Sequence, residues 1–222
     1  MDKKWEEILG YRFREPVLLQ RALTHSSYAN EHPEEGGADN ERLEFLGDAV
    51  LELASSTYLY NRYPDKEEGE MTRLRASMVC EPSLAFCARR IDLGEALRMG
   101  RGEEKSGGRE RDSILSDALE AVIGAVYLDG GFESARHFID RHVLAVVADH
   151  PAYSDAKTRF QELVQADGGA EIVYTLLSEE GPMHERIFTA QVSVNGTVKG
   201  TGSGHNKKAA EQAAAAAALK EV

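Results

Sequence analysis

The residues best placed to do chemistry lie in Asn40–Leu53, NERLEFLGDAVLEL, where Glu41, Glu44 and Asp48 stand at spacings i, i+3 and i+7. On a helix at about 100° per residue these carboxylates fall within an arc of roughly 60°. Like charges so spaced repel by about 0.2–0.5 kcal/mol per pair, so the row is unfavourable unless something positive sits over it. A divalent cation is the simplest candidate. A solvated acidic face is the alternative, and Glu52 projects onto the same side. Leu43, Leu46, Ala49, Val50 and Leu53 occupy the other side, which predicts an amphipathic helix running to about Tyr60.

A second pair of acids sits in a different setting. Ser113–Leu128, SILSDALEAVIGAVYL, is apolar almost all round, as in a buried central helix, and Asp117 and Glu120 are its exceptions, three apart on one face. Acids are almost never fully buried unless paired. Either an arginine of a neighbouring helix or a metal ion would compensate them. The helix holds no Lys or Arg of its own, which favours the metal.

Around these two helices the pattern is helical throughout the first two thirds of the chain. Helices are expected over Trp5–Leu9, Pro16–Leu23, Glu70–Cys80 and from Pro82 to about Arg90. A breaker, Tyr63–Gly69, precedes the third of these, His32–Asp39 reads as a polar loop, and Arg101–Arg109 as a Gly-rich loop. Asp149–Ser154 reads as a linker because the pattern changes after it. Lys157–Asp167 is then expected as helix, Glu171–Ser178, Arg186–Val194 and Val198–Ser203 as strands, and Asn206–Lys220 as an Ala-rich helix. Gly181-Pro182 and Asn195-Gly196 mark the turns between the strands. The expected architecture is an all-α catalytic domain over 1–148, a linker over 149–154, and a small α+β (α-β-β-β-α) domain over 155–222.

The chain has 222 residues, 42% hydrophobic and 29% charged, ordinary for a globular protein. No apolar run approaches a membrane span, so no membrane partner is expected. The N-terminal MDKKWEEILGYRF lacks the basic-then-apolar pattern of a signal peptide, so a cytoplasmic location is expected. Cys80 and Cys87, seven apart, are no zinc pattern and are expected as reduced core residues.

The net charge of −12 argues at first against a polyanionic partner. It divides unevenly: residues 1–154 hold 19 Lys+Arg against 29 Asp+Glu, and residues 155–222 hold 7 against 9. The positives of the second domain are nevertheless placed locally. Lys207 and Lys208 open the last helix behind His205 and Asn206. A helix N-terminus already offers free amides and a positive dipole end, which slightly disfavours lysine. Two lysines there fit a phosphate clamp; an ordinary exposed helix start is the other reading.

With these blocks in order, the chain resembles bacterial ribonuclease III over essentially its full length. NERLEFLGDAVL is similar to that family's most distinctive motif, and ALTHSS (Ala22–Ser27), Glu67–Val79, Glu104–Asp129 and KTRFQELVQ (Lys157–Gln165) to its other blocks. The last domain resembles a double-stranded-RNA-binding domain, with GPMH (Gly181–His184) in its first strand-to-strand loop and Gly200–Ala215 at its last helix.

The resemblance implies an endoribonuclease that hydrolyses double-stranded RNA with Mg²⁺, for which Mn²⁺ can substitute. Products would be 5′-phosphate and 3′-hydroxyl ends with short 3′ overhangs, in the processing and decay of ribosomal and messenger RNA. A double-stranded-RNA-binding protein without catalysis is the alternative. Matched residue by residue, Glu44, Asp48, Asp117 and Glu120 become metal ligands, with Asp48 and Glu120 also catalytic together with Glu41 and Glu68. Glu52 has no catalytic counterpart and is set aside. Hard oxygen donors suit Mg²⁺ or Mn²⁺. His25 reads as structural rather than as a general base. A homodimer is implied, with Phe45 either inserting into the partner subunit or packing in its own core. Thr158, Gln161 and Glu162 would meet one RNA minor groove, the loop around His184 the next, and Lys207 and Lys208 the phosphates between them.

Replacing both Lys207 and Lys208 by alanine is expected to weaken binding of an RNA duplex and to flatten its salt dependence, each lost phosphate contact lowering the log–log slope by about 0.9. A titration at several salt concentrations checks this; an unaltered slope counts against the clamp.

Overall fold

The computed structural model describes residues 3–35, 38–148, 156–166, 169–181 and 186–220. Its contacts divide the chain into two units, residues 1–146 and 147–222. The helical part runs α1 (Lys3–Leu9), α2 (Pro16–Ala22), α3 (Ser26–Glu31), α4 (Glu41–Arg62), α5 (Glu68–Met78), α6 (Glu81–Arg90), α7 (Leu93–Ala96), α8 (Arg101–Lys105), α9 (Asp112–Ile139) and α10 (Ala145–Ala148). A π-turn at Asp140–Leu144 joins the last two.

The first unit is built around α9. Leu115, Leu119, Val122, Ile123 and Val126 are buried along it, and α2, α4 and α6 pack against it. Each such side chain contributes about 1.5–3 kcal/mol by leaving water. The apolar helix expected to stop near Leu128 breaks at Gly131, whose φ of 77° and ψ of 179° lie where essentially only glycine goes, and then resumes to Ile139. Just before the break, Asp129 accepts hydrogen bonds from the Tyr11 hydroxyl (2.8 Å) and the amides of Arg14 (3.0 Å) and Glu15 (2.8 Å), tying the start of α2 to this helix.

The buried stripe of α4 is Leu43, Gly47, Val50, Leu51, Ala54, Ser55 and Leu59. It is rotated from the expected one, because Ala49 and Leu53 face outward and Gly47 faces in. The reason is contact with α9. A Cβ on Gly47 would stand 1.8 Å from the Glu120 carbonyl oxygen, and one on Gly124 would stand 2.2 Å from that of Leu43. The two helices meet backbone to backbone at paired glycines.

Other expectations shift for local reasons. Helix α5 begins at Glu68 rather than Glu70, so Glu68 is helical and not in the preceding loop. The segment Arg101–Arg109 is no open loop: it forms α8 and a 3₁₀ turn, Gly108–Glu110. Arg109 fixes it by donating to the carbonyls of Gly94 and Leu97, both at 2.8 Å, and by pairing with Glu104. Both cysteines are free; Cys87 is buried, and Cys80 is half-buried at the cap of α6.

The second unit runs α11 (Ala156–Ala166), β1 (Ile172–Glu180), β2 (Ile187–Val194), β3 (Thr197–Gly204) and α12 (Lys207–Ala218). The sheet is antiparallel in the order β1-β2-β3. Asn195 and Gly196 both have positive φ, as the tight hairpin requires. Its core joins Phe160, Val192, Ala214, Ala215 and Ala218. Gly200, Gly202 and Gly204 alternate along β3, where a Cβ on any of them would come within 2.6 Å of α12 atoms. Glycine on the strand and alanine on the helix thus allow a close helix–sheet approach.

Gly47→Ala is expected to destabilise the first unit at the upper end of the about 1–3 kcal/mol typical of overpacking, since the clash is with backbone. Urea denaturation measures it; a wild-type midpoint would show that the crossing can yield.

Candidate active site

The Gly47–Gly124 crossing brings Glu44 of the first row against the second pair of acids. Carboxylate oxygens of Glu44 from α4 and of Asp117 and Glu120 from α9 all lie within 4.8 Å of one another, each side chain half-buried. Oxygen ligands of an octahedral Mg²⁺ stand about 3–4 Å apart, so small side-chain rotations would close the set on one ion. Asp48, one turn along α4, is exposed and acts electrostatically on both Glu44 and Glu120. None of the ion pairs seen among the described residues involves these four acids. The neighbouring-arginine alternative for Asp117 and Glu120 therefore finds no support there.

Crowding and burial show in the proton equilibria. Burial, reinforced by Asp48, Asp117 and Glu44, pushes the Glu120 carboxyl up to about 8. Glu44 is raised by burial and then by Asp117, Glu41 and Asp48. Asp117 is raised by burial and by Glu81, while a hydrogen bond from Ser116 and the proximity of His25 act the other way. Three half-buried acids with raised affinity for protons are a site that favours positive charge, and a cation would replace the protons. Glu81, from the first turn of α6, gave no signal in the sequence, since it is 36 residues from Asp117 and no local pattern links the two.

The remaining acids lie elsewhere. Glu41 is exposed one turn before Glu44 and adds to its negative surroundings. Glu68 accepts from the Thr72 hydroxyl (2.9 Å) and lines a cavity of about 450 Å³ with Ser56, Tyr60, Met71 and Arg75. That cavity begins eight residues beyond Asp48, roughly 12 Å along α4, so Glu68 does not join the cluster of its own chain. Glu52 pairs with Arg75 at 3.0 Å. Phe45 is 80% exposed and so is not a core aromatic in this chain; Leu53 (56%) and Tyr60 (72%) lie on the same side of α4.

In the second unit, Asn206 caps α12 by accepting from the Ala209 amide at 2.8 Å, and exposed Lys207 and Lys208 flank the free amides of that first turn. Gln161 is exposed on α11. The side chains of Thr158 and Glu162, and His184 entirely, lie outside the described residues.

Comparison with known proteins gives this arrangement its class. A ribonuclease-III-like family model matches residues 15–147, and a double-stranded RNA binding motif matches residues 156–222. Ribonuclease 3 of Desulforamulus reducens is 52% identical over 96% of this chain and 88% of its own length. Ribonuclease 3 of Listeria innocua is 50% identical over 99% of this chain and 98% of its own. Among solved structures, the nuclease domain of ribonuclease III from Campylobacter jejuni, described as flexible in a region involved in dimer formation, is 43% identical with a TM-score of 0.59. It covers 66% of this chain and 95% of that one. The chain belongs to the ribonuclease III family: it is an endoribonuclease whose helical nuclease domain is followed by a double-stranded-RNA-binding domain.

The Glu120 carboxyl rises from 4.5 to about 8 on folding. Without metal, the folded protein therefore holds a proton that the unfolded chain has released, and the stability present below pH 4.5 is lost as pH rises through about 8. Melting temperature in EDTA should fall from pH 5 towards pH 8, and Glu120→Gln should flatten that fall. A parallel profile in the variant would place the effect on other groups.

Proposed function

We propose that the chain hydrolyses phosphodiesters of double-stranded RNA with Mg²⁺, leaving 5′-phosphate and 3′-hydroxyl ends and short 3′ overhangs. The observation that carries this reading is the meeting of Glu44, Asp117 and Glu120, from two helices, without a cationic side chain among the described residues. Asp48 completes the donor set from the exposed side. Carboxylate oxygens are hard ligands, which favours Mg²⁺ with Mn²⁺ as substitute. A bound ion supplies an acidified water and charge stabilisation at the departing 3′-oxygen. In the hydrolysis the water oxygen bonds to phosphorus, the bond from phosphorus to the 3′-oxygen breaks, and a proton passes to that oxygen.

The chain's own residues supply placement. Glu44, Asp117 and Glu120 fix the position from the half-buried side, and Asp48 and Glu41 line its approach. Lys207 and Lys208 hold phosphates at the head of α12, and Gln161 on α11 reads the minor groove, with Thr158, Glu162 and His184 as further contacts. Double-stranded A-form RNA hides its base edges in a deep major groove, so the binding is by shape and 2′-hydroxyls.

The functional form is a homodimer. Phe45, Leu53 and Tyr60 are large apolar side chains exposed on the side of α4 beside the acids. Phe45 is assigned to the contact with a second copy. Glu68, distant from its own cluster, takes part in catalysis only if a second copy brings it to one. The cellular role is processing and decay of ribosomal and messenger RNA in the cytoplasm; no helix among the described residues is long and apolar enough to cross a membrane.

Asp48→Asn and Glu120→Gln are each expected to cost several kcal/mol of transition-state stabilisation, at least about 100-fold in turnover. Duplex affinity in EDTA should stay near wild type. Cleavage of a long RNA duplex with Mg²⁺, followed by EDTA, is the assay. Unchanged turnover in either variant sinks the metal-site assignment, and wild-type protein that binds but never cuts would favour a purely RNA-binding role.

A further inference from the structure

Helix α11 is held against α12 at its first turn. The amides of a helix start have no partner inside the helix, and that of Lys157 donates instead to the side-chain oxygen of Gln212 on α12, at 3.0 Å. The Lys157 ammonium pairs with Glu211 at 2.6 Å and stands 4.3 Å from the centre of the Tyr174 ring on β1. A single residue of α11 thus reaches α12 through both its backbone and its side chain, and covers the sheet as well.

The apolar part of this contact does little to fix a register. Ala156 and Phe160 share their core with Ala214, Ala215 and Ala218 of α12, and methyl groups alone give shallow ridges along which a helix slides or turns at little cost. The Lys157–Glu211 pair is about one-third exposed on each side, and ion pairs so exposed add little to stability. What the polar links supply is position. Gln161 stands one turn beyond Lys157 on the same side of α11, and Lys207 and Lys208 stand one turn before Glu211 and Gln212 on α12. The groups assigned to the minor groove and to the phosphates therefore each lie one turn from the same junction.

We propose that Lys157, Glu211 and Gln212 are positioning residues for RNA recognition: their junction sets the register of α11 on α12, so that Gln161 and the two lysines engage one duplex at once. The proposal rests on the reading of Gln161, Lys207 and Lys208 as RNA contacts. Its consequence is selectivity. An A-form duplex presents 2′-hydroxyls in a wide, shallow minor groove at a fixed offset from the phosphates across the major groove, whereas B-form DNA has a narrow minor groove and no such hydroxyls. Phosphate contacts alone serve either duplex; a fixed spacing between the two kinds of contact serves the RNA.

The test is binding of the full chain, in EDTA, to an RNA duplex and to a DNA duplex of the same sequence and length. Gln212→Ala should weaken RNA binding about 5-fold, the scale of one lost helix cap, and leave DNA binding as in wild type. Gln212→Glu keeps an acceptor for the Lys157 amide and should keep wild-type selectivity. An equal loss on both duplexes, or no loss on RNA, would overturn the proposal. Gln161→Ala separates the two levels: if it binds RNA as wild type does, the minor-groove reading itself fails. If it weakens RNA binding, Gln212→Ala added to it should cost nothing further, and additive losses count against the junction. The intact protein gives an independent check, whatever the stability of the variants. Hydrogen exchange at the Lys157 amide should be as slow as at amides inside α11, and exchange at the rate of an open helix start would overturn the proposal.

Discussion

Helices α4 and α9 cross where neither has a side chain. Gly47 and Gly124 let the backbone of one lie against the backbone of the other, with no room for a single methyl at either position. Everything chemical in the first unit depends on that distance. Glu44 is one turn before Gly47 and Glu120 one turn before Gly124, so the crossing that removes two side chains from the interface places two carboxylates at its rim. A wider crossing would leave the same acids on two separate surfaces.

The consequence is a site in tension with its own stability. Burial and mutual repulsion raise the proton affinity of Glu44, Asp117 and Glu120, so these groups oppose the folded state at neutral pH when no cation is present. The surrounding apolar packing on α9 offsets that opposition, and a hydrogen bond from the Asn40 amide to the Thr24 carbonyl (2.9 Å) ties the head of α4 to the segment before α3. A cation bound there would relieve the repulsion, which would make metal affinity and fold stability two views of one arrangement.

The second unit uses small residues differently. Gly200, Gly202 and Gly204 recur with the period of a strand, and the alanines of α12 settle onto them. The tight contact leaves the head of α12 free, where Asn206 caps and Lys207 and Lys208 project. On the proposed function, this is how a chain with a net charge of −12 would present a local site for phosphate: position at a helix terminus matters more than total charge.

Much of this was legible in the sequence. Helical periodicity marked α4 and the first part of α9, an Asn-Gly turn marked the hairpin, and two acids inside an apolar helix required a compensating partner. Those signals are local, and local signals survive without coordinates because each depends on neighbours a few residues away. Periodicity also misplaced the buried face of α4, counting Ala49 and Leu53 inward and overlooking Gly47, because a scale of hydrophobicity gives glycine no weight as a contact surface. It could not separate Glu52 from Glu44, which share a helix side; only the tertiary fold gives Glu52 to Arg75 and Glu44 to α9. Nor could it place His25 or Glu81 within electrostatic reach of Asp117, from which both are distant in sequence. The sequence by itself determined which residues could do chemistry and on which elements they ride. Which of them share a site was decided by the backbone contact of two glycines, a distance no one-dimensional pattern contains.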